Sequence, residues 1–222
     1  KIQVQSNGGL IVAIISNATT IADAGAFSVG LGDQVLIKEL NTSGGAVANM
    51  TFHHGTSSVV LNNTYPFYKF VFINMHPAGN AVFWLFQANA VDASGFNETI
   101  TSSTFRAVNT ENASNGQVDY IASIDQAQGT GFQNICSDGD IKTDNDSCIS
   151  GELLIFNPSS TTFPTHFIAR TNHMVNNSQS SDNHIAGYFN TTAALDEFQF
   201  KFNSGNIDSG TIKLYGIKGA AN

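Results

Sequence analysis

The sequence has 222 residues, of which 41% are hydrophobic and only 12% are charged, and its formal net charge at pH 7 is −8. This length is enough for a β-domain with a substantial buried core. The nine Lys and Arg residues are scattered along the chain, and the absence of a basic patch argues against binding to nucleic acid or to anionic membranes.

The N-terminal part begins with a short apolar run, GGLIVAIIS, at residues 8–16. The run is too short to cross a bilayer and predicts a buried strand. Two further strands are predicted at GDQVLIKEL and AVANMTFHH. Turn residues then interrupt the pattern over residues 53–66, which places a domain boundary near residue 58. We expect residues 1–58 to be an extra N-terminal β layer, either an assembly segment or the first strands of the main domain, and residues 59–222 to be the main domain.

The middle of the chain predicts strands that are separated by turn residues. YKFVFINMH and AVFWLFQAN flank the turn PAGN and are predicted to form a hairpin. Alternation in the second strand places Phe83 and Leu85 on one face and Trp84 and Phe86 on the other. Because both faces are apolar, we expect the core of a sandwich to cover one of them and a neighbouring layer or subunit to cover the other.

Two cysteines bracket the acidic segment CSDGDIKTDNDSC, which runs from Cys136 to Cys148. A disulfide between them would stabilise the segment by about 3 kcal/mol in the chain-entropy model, and two free thiols are the alternative. Carboxylate oxygens are the ligands that Ca²⁺ prefers, but the spacing is not that of an EF-hand. An exposed hairpin tip solvated by water is the simpler interpretation. The weak candidates for an irregular cation site are Asp138, Asp140, Asp144 and Asp146.

The remaining chemistry-bearing residues give no positive sign of catalysis. His166, His173 and His184 have no zinc-site spacing and are predicted to lie at the surface or at strand edges. The sequence contains no Gly-X-Ser-X-Gly elbow and no phosphate-binding loop of the Walker or dinucleotide type. We therefore expect a protein that is not an enzyme and holds no cofactor other than Ca²⁺ at the acidic segment. Carboxylates converging from distant strands keep polysaccharide cleavage as an alternative.

The C-terminal third predicts five strands, with a short helical turn at residues 190–198. Gly205 and Gly210 are predicted to allow the turns of a hairpin that joins the last two strands. In the last strand, Ile212 and Leu214 fall on one face. So many short strands at regular spacing predict an all-β, jelly-roll-like antiparallel β-sandwich. The five predicted strands are GELLIFNP, THFIARTN, HIAGYFN, DEFQFKFN and GTIKLYGI.

Several of these segments resemble a group of virion proteins of tailed bacteriophages, cyanophages among them. The matching pieces lie between residues 60 and 218 and are TYPFYKFVFINMHPAGNAVFWLFQ, GELLIFNPSS, FNTTAALDEFQFKF, SGNIDSG and GTIKLYGIK. The acidic segment between the cysteines is not part of the pattern. The resemblance implies a structural protein of the phage particle, of tail-fibre, tail-tip or head-decoration type.

From this resemblance we expect a protein located in the virion, assembled as a homotrimer or higher oligomer and in contact with other virion proteins. Host attachment through a cell-surface glycan is the first expected function. Head decoration that stabilises the capsid is the alternative, and binding or degradation of polysaccharide is a further one.

Deletion of residues 211–218 is expected to give insoluble protein, because the strand GTIKLYGI closes the sandwich and its removal exposes apolar surface and an unpaired strand edge. The fraction of soluble protein after expression, compared with the full chain, is the measurement. Soluble and folded protein after this truncation would contradict the prediction.

Overall fold

The structure is a computed structural model that describes residues 2–6, 12–16, 19–23, 26–27, 33–137, 141–175 and 178–219. It describes side chains from residue 33 onward within these ranges, except at 45 and 46. The chain divides into two compact units, Lys1–Val35 and Leu36–Asn222. The boundary therefore lies well before residue 58, where the sequence placed it.

The first unit contains a four-stranded antiparallel sheet whose strands follow one another in chain order. The strand predicted within GGLIVAIIS is confirmed. The prediction that this strand is buried stays a prediction, because its side chains lie outside the described ones. The strands are β1 (Ile2–Ser6), β2 (Val12–Ser16), β3 (Thr19–Asp23) and β4 (Ala26–Phe27).

The remaining strands form the second unit, with β5 starting at the boundary. They are joined by short connections and by one turn of 3₁₀-helix at Ala122–Ile124. The strands are β5 (Gln34–Val47), β6 (Met50–His53), β7 (Phe67–Pro77), β8 (Trp84–Ala90), β9 (Ile100–Thr110), β10 (Gly116–Tyr120), β11 (Ala127–Gly129), β12 (Gln133–Asn134), β13 (Ile149–Phe156), β14 (His166–Val175), β15 (Gln179–Phe189), β16 (Leu195–Phe202) and β17 (Ile207–Ile217).

These strands build two sheets, as the predicted all-β sandwich requires. The large sheet has nine strands in the order β10-β9-β15-β14-β13-β7-β17-β5, with β11 also paired to β9. The small sheet has four strands in the order β12-β8-β16-β6. Since β5 and β6 belong to these two sheets, residues 36–58 are the first strands of the sandwich, which was one of the two alternatives for this segment.

The core between the sheets is filled by aromatic rings. Phe200 of β16 is fully buried at its centre because alternation along β16 turns Phe198, Phe200 and Phe202 to the same side. Edge-to-face and offset ring contacts of this kind add to the free energy of burial. Five rings surround Phe200 at centroid distances of 4.9–6.4 Å, namely Phe52, Phe70, Phe72, Trp84 and Phe86.

The alternation predicted for AVFWLFQ is confirmed. Trp84 and Phe86 are fully buried in the core, and Phe83 and Leu85 are half-buried on the opposite face. On that face Phe83 and Leu85 line a shallow pocket together with residues of segment 123–134.

Both predicted hairpins are wrong, because the chain crosses between the sheets at these turns. β7 belongs to the large sheet and β8 to the small sheet, and β16 and β17 are separated in the same way. Gly205, at φ +71°, lies in the crossing before β17. Gly210 lies at an irregularity opposite β7, where a Cβ atom would be 2.8 Å from the Sδ atom of Met75.

The last described strand nevertheless has the predicted faces. Ile212 and Leu214 are fully buried, and β17 lies between β7 and β5 inside the large sheet. The helical turn predicted at residues 190–198 is wrong, because β16 begins at Leu195 and that side chain joins the core. None of the helices in the described ranges is long and apolar enough to span a membrane.

Substitution Phe200→Ala is expected to lower the free energy of unfolding by about 3–5 kcal/mol, because it leaves a cavity among five aromatic rings. Urea unfolding of the parent and the variant measures the difference. Phe163→Ala is the matched control, since Phe163 is 68% exposed and its loss is expected to change stability by less than about 0.5 kcal/mol. Equal losses from the two substitutions would contradict this account of the core.

Candidate functional site

The outer face of the large sheet carries a groove of about 690 Å³, where β13 passes between β7 and β14. Its floor lies at Gly151, next to a register irregularity between β13 and β7. A Cβ atom at Gly151 would lie 2.2 Å from the carbonyl oxygen of Arg170. Only glycine therefore lets the two strands approach this closely.

A doubly hydrogen-bonded ion pair forms one wall of the groove. Arg170 on β14 donates from Nε to Oδ1 of Asp182 at 3.0 Å and from Nη2 to Oδ2 at 2.8 Å. The hydrogen bond from Arg170 holds the pKa of the Asp182 carboxyl below its usual value, and His184 acts in the same direction from 3.4 Å. His184 in turn stacks on Phe105 at a ring-centroid distance of 4.7 Å. The guanidinium plane is thus fixed while Arg170 stays exposed to solvent.

A second ion pair lies beside the first, because Glu152 is paired directly with Arg170 across β13 and β14. Glu152 on β13 binds Lys69 of β7, with 2.6 Å between Oε2 and Nζ. Polar side chains complete the lining, and Asn172 donates from Nδ2 to Oγ of Ser180 at 3.0 Å. Each charged side chain in the lining has a partner of opposite sign, so the groove presents oriented donors and acceptors with little net charge. Such a surface suits a neutral polyhydroxylated ligand.

Sequence reasoning missed these residues, although the alternation of two strands contains the signal. In ARTN and SDNH, buried residues alternate with Arg170, Asn172, Asp182 and His184. β14 and β15 are paired, with Arg170 opposite His184 and Asn172 opposite Asp182. Recognising the two segments as neighbours would have brought these polar groups together.

The two cysteines do not form a disulfide in this structure. The second alternative, two free thiols, is the one observed. Their sulfur atoms have different neighbours. Cys136 is fully buried and its Sγ accepts a hydrogen bond from the backbone N–H of Trp84 at 3.1 Å. Burial raises the pKa of the Cys136 thiol to about 12, which makes it unreactive. Cys148 is half-buried, and burial also raises the pKa of its thiol.

The acidic segment is not a free hairpin tip, because both of its ends are packed. Ile141 is fully buried and bridges to Val82, and Ser147 is buried and accepts a hydrogen bond from the backbone N–H of Lys142 at 2.8 Å. The residues between them, 143–146, are exposed as expected. The segment therefore covers part of the sandwich and turns only its middle to solvent.

Only two of the four aspartates proposed as cation ligands lie among the described residues. Asp138 and Asp140 lie outside the described residues, whereas Asp144 and Asp146 are exposed. Among the described ranges, no three His, Cys, Asp or Glu side chains are grouped so that they could hold a metal ion. The carbonyl oxygen of Asp144 lies 3.2 Å from Nε2 of His76, whose other ring nitrogen faces Asp208 at 3.4 Å. The visible role of this turn is thus to anchor the segment to β7.

The surface location predicted for the histidines fails at His173, which is buried within a polar cluster beneath the acidic segment. Asn183 on β15 donates from Nδ2 to Nδ1 of His173 at 3.2 Å and accepts a hydrogen bond from the backbone N–H of Ser137 at 3.1 Å. Burial, assisted by the charge of Arg106, lowers the pKa of His173 to about 4. His173 is therefore neutral at pH 7.

Comparisons with known proteins give no family for this fold. No known family and no curated protein matches the chain. One similar solved structure is a structural-genomics protein of unknown function from Bacteroides ovatus, with 4% sequence identity and a TM-score of 0.27. The match covers 48% of this chain and 45% of that one, so this chain spans less than half the length of that protein. Similarity at this level assigns no function.

The buried His173 is expected to make the protein less stable as the pH falls from about 6.5 to about 4. Its folded-state pKa lies below the unfolded value, so the unfolded chain binds more protons in this window and the free energy of unfolding decreases. Across this whole pH window, protonation of His173 is expected to lower the free energy of unfolding by about 3 kcal/mol. Urea unfolding of the parent and His173→Gln at several pH values measures it, with a shallower pH dependence expected in the variant. The same pH dependence in both proteins would rule out this role for His173.

Proposed function

We propose that the protein is a structural component of a bacteriophage particle that attaches the particle to its host, and that the groove on the outer face of the large sheet binds a cell-surface saccharide. The groove carries the proposal. Its volume of about 690 Å³ lies within the range of ordinary ligand sites. The resemblance of the sequence to phage virion proteins supports the location in a particle.

The arrangement of the polar groups supports binding without chemistry on the ligand. The fork of Arg170 is held by Asp182 and the carboxylate of Glu152 is held by Lys69. Side chains that are fixed before the ligand arrives lose little conformational entropy on binding. A sugar hydroxyl both donates and accepts, so a wall of guanidinium next to a wall of carboxylate can receive neighbouring hydroxyl groups.

Head decoration is the second candidate, and the exposed apolar side chains on the same face favour it. Phe105 is 49% exposed, Tyr120 is 65% exposed and Val118 is 73% exposed. Exposed apolar groups that cluster on one face mark contacts with other proteins. A protein that covers a capsid needs such contacts, whereas attachment to a host needs the groove to stay open.

The test of attachment is binding of the purified protein to host cells and to polysaccharide extracted from the host envelope. Arg170→Ala is expected to weaken binding roughly tenfold or more, because it removes charged donors from one wall. Arg170→Lys keeps the charge but loses the planar fork, so an intermediate loss is expected. Lys218→Ala is the matched control, since it also removes one positive charge and lies outside the groove lining. Thermal unfolding checks that each variant is folded.

The outcomes separate the two candidates. Binding by the parent that Arg170→Ala weakens and Lys218→Ala leaves intact supports attachment through the groove. A parent protein that binds neither cells nor polysaccharide contradicts attachment. Antibody labelling of whole particles then decides the location, with label on the tail expected for attachment and label over the head expected for decoration.

A further inference from the structure

The five-residue strand β10 forms one edge of the large sheet. Its described partner is β9, with Gly116 opposite Asn109 and Tyr120 opposite Phe105. Among the strands of the described ranges, none follows β10 on its other side. The free side of β10 therefore determines what this edge can bind.

Two hydrogen bonds at the ends of β10 show which backbone groups face the free side. Ile121 N–H donates to the carbonyl oxygen of Thr104 at 2.9 Å, and Thr110 N–H donates to that of Asn115 at 3.0 Å. In an antiparallel pair, residues that exchange hydrogen bonds alternate with residues that do not. Residues 115, 117, 119 and 121 thus bond to β9. The N–H and C=O groups of the residues between them point away from β9, and these residues are Gly116, Val118 and Tyr120.

The same three residues turn their side chains to the outer face of the sheet. Val118 is 73% exposed and Tyr120 is 65% exposed, and Gly116 has no side chain. Natural edge strands are usually protected by Lys, Pro, a bulge or a charge that points inward, and β10 has no Lys, no Pro and no bulge. The one charged residue, Asp119, lies on the other face, with 3.6 Å between its Oδ2 atom and Nη2 of Arg106. The edge combines unpaired backbone groups with exposed apolar side chains.

We propose that two copies of the chain join at this edge, with β10 paired antiparallel to β10 of the second copy about a two-fold axis at Val118. In this register Val118 faces its own counterpart, and Gly116 faces Tyr120 of the second copy. All three residues with free backbone groups then exchange hydrogen bonds with one another. Moving the axis by one residue to Gln117 would place Tyr120 opposite the turn at Ser114. Moving it by one residue to Asp119 would place Gly116 opposite the 3₁₀-helix at Ala122–Ile124.

The side chains are complementary to themselves in this register, which identifies the occupant as a second copy. The two Val118 side chains meet on the outer face. Each Tyr120 ring covers the bare backbone of Gly116 opposite it, an arrangement that compensates for glycine in strands. On the other face Gln117 lies opposite Asp119, so an amide donor faces a carboxylate and no two like charges meet. A two-fold contact requires one surface to match itself in this way.

Cysteine cross-linking tests the register. Val118→Cys is expected to form a covalent dimer with a short thiol–thiol cross-linking reagent, because directly opposed residues of a hydrogen-bonded pair have Cα atoms about 5.5 Å apart and Cβ atoms that are somewhat too distant for an unstrained disulfide. Tyr120→Cys is the matched control, since the two copies of residue 120 are offset by four residues, or about 13 Å. Both variants carry Cys148→Ser, because Cys148 is half-buried, whereas Cys136 is fully buried. Equal cross-linking of both variants, or none with Val118→Cys, overturns the proposal.

The unmodified edge is tested by the mass of the protein in solution, measured by light scattering over a range of concentrations. The parent is expected to dimerise. Val118→Pro removes an N–H that faces the free side and keeps the ladder to β9, so it is expected to shift the protein to monomer without changing its circular dichroism. Val118→Ile keeps the N–H and is expected to dimerise like the parent. A parent that stays monomeric, or a Val118→Pro variant that dimerises as the parent does, overturns the proposal.

Discussion

The nine-stranded sheet has more inner surface than the four-stranded sheet can cover, and much of the structure follows from this mismatch. Where the two sheets face each other, aromatic rings fill the gap around Phe200. Where the small sheet ends, irregular chain has to take its place, and buried backbone in irregular chain needs hydrogen-bond partners. The large sheet provides them at inward positions, where Thr171 donates to the carbonyl oxygen of Ile135 and Asn183 accepts from Ser137 N–H.

The same constraint separates the buried polar groups from the exposed ones that line the groove. Along β14 and β15, inward residues such as Thr171 and Asn183 hold the covering segment, while outward residues such as Arg170 and Asp182 line the groove. One alternation thus supplies a buried network and an exposed site on the two faces of a single pair of strands. A small change in the pairing of β14 with β15 would disturb both, because a slip by one residue exchanges the faces.

The sequence was most informative where local patterns decide the structure. Alternation correctly separated Trp84 and Phe86 from Phe83 and Leu85, and it put Ile212 on the predicted face of the last described strand, because successive side chains of a strand point to opposite sides. The pairing of strands with one another could not be predicted in the same way. The turns after β7 and β16 both carry Gly and Asn, and these residues reverse a chain whether it pairs with its neighbour or crosses to the other sheet. The groove was missed for this reason, since it exists only once the pairing of β13, β14 and β15 is known.

The position of β17 between β7 and β5 has a consequence for the order of folding. Leu214 lies opposite Phe70, so the large sheet is completed by a contact between chain segments that are far apart in sequence. Pairings of this kind fold slowly because a long loop must close before they form. During synthesis β5 and β7 leave the ribosome long before β17, and each lacks β17 as a native neighbour until it arrives. The unfinished chain therefore exposes the strand edges that β17 later occupies, and the rate of this step sets how long newly made chains are open to aggregation.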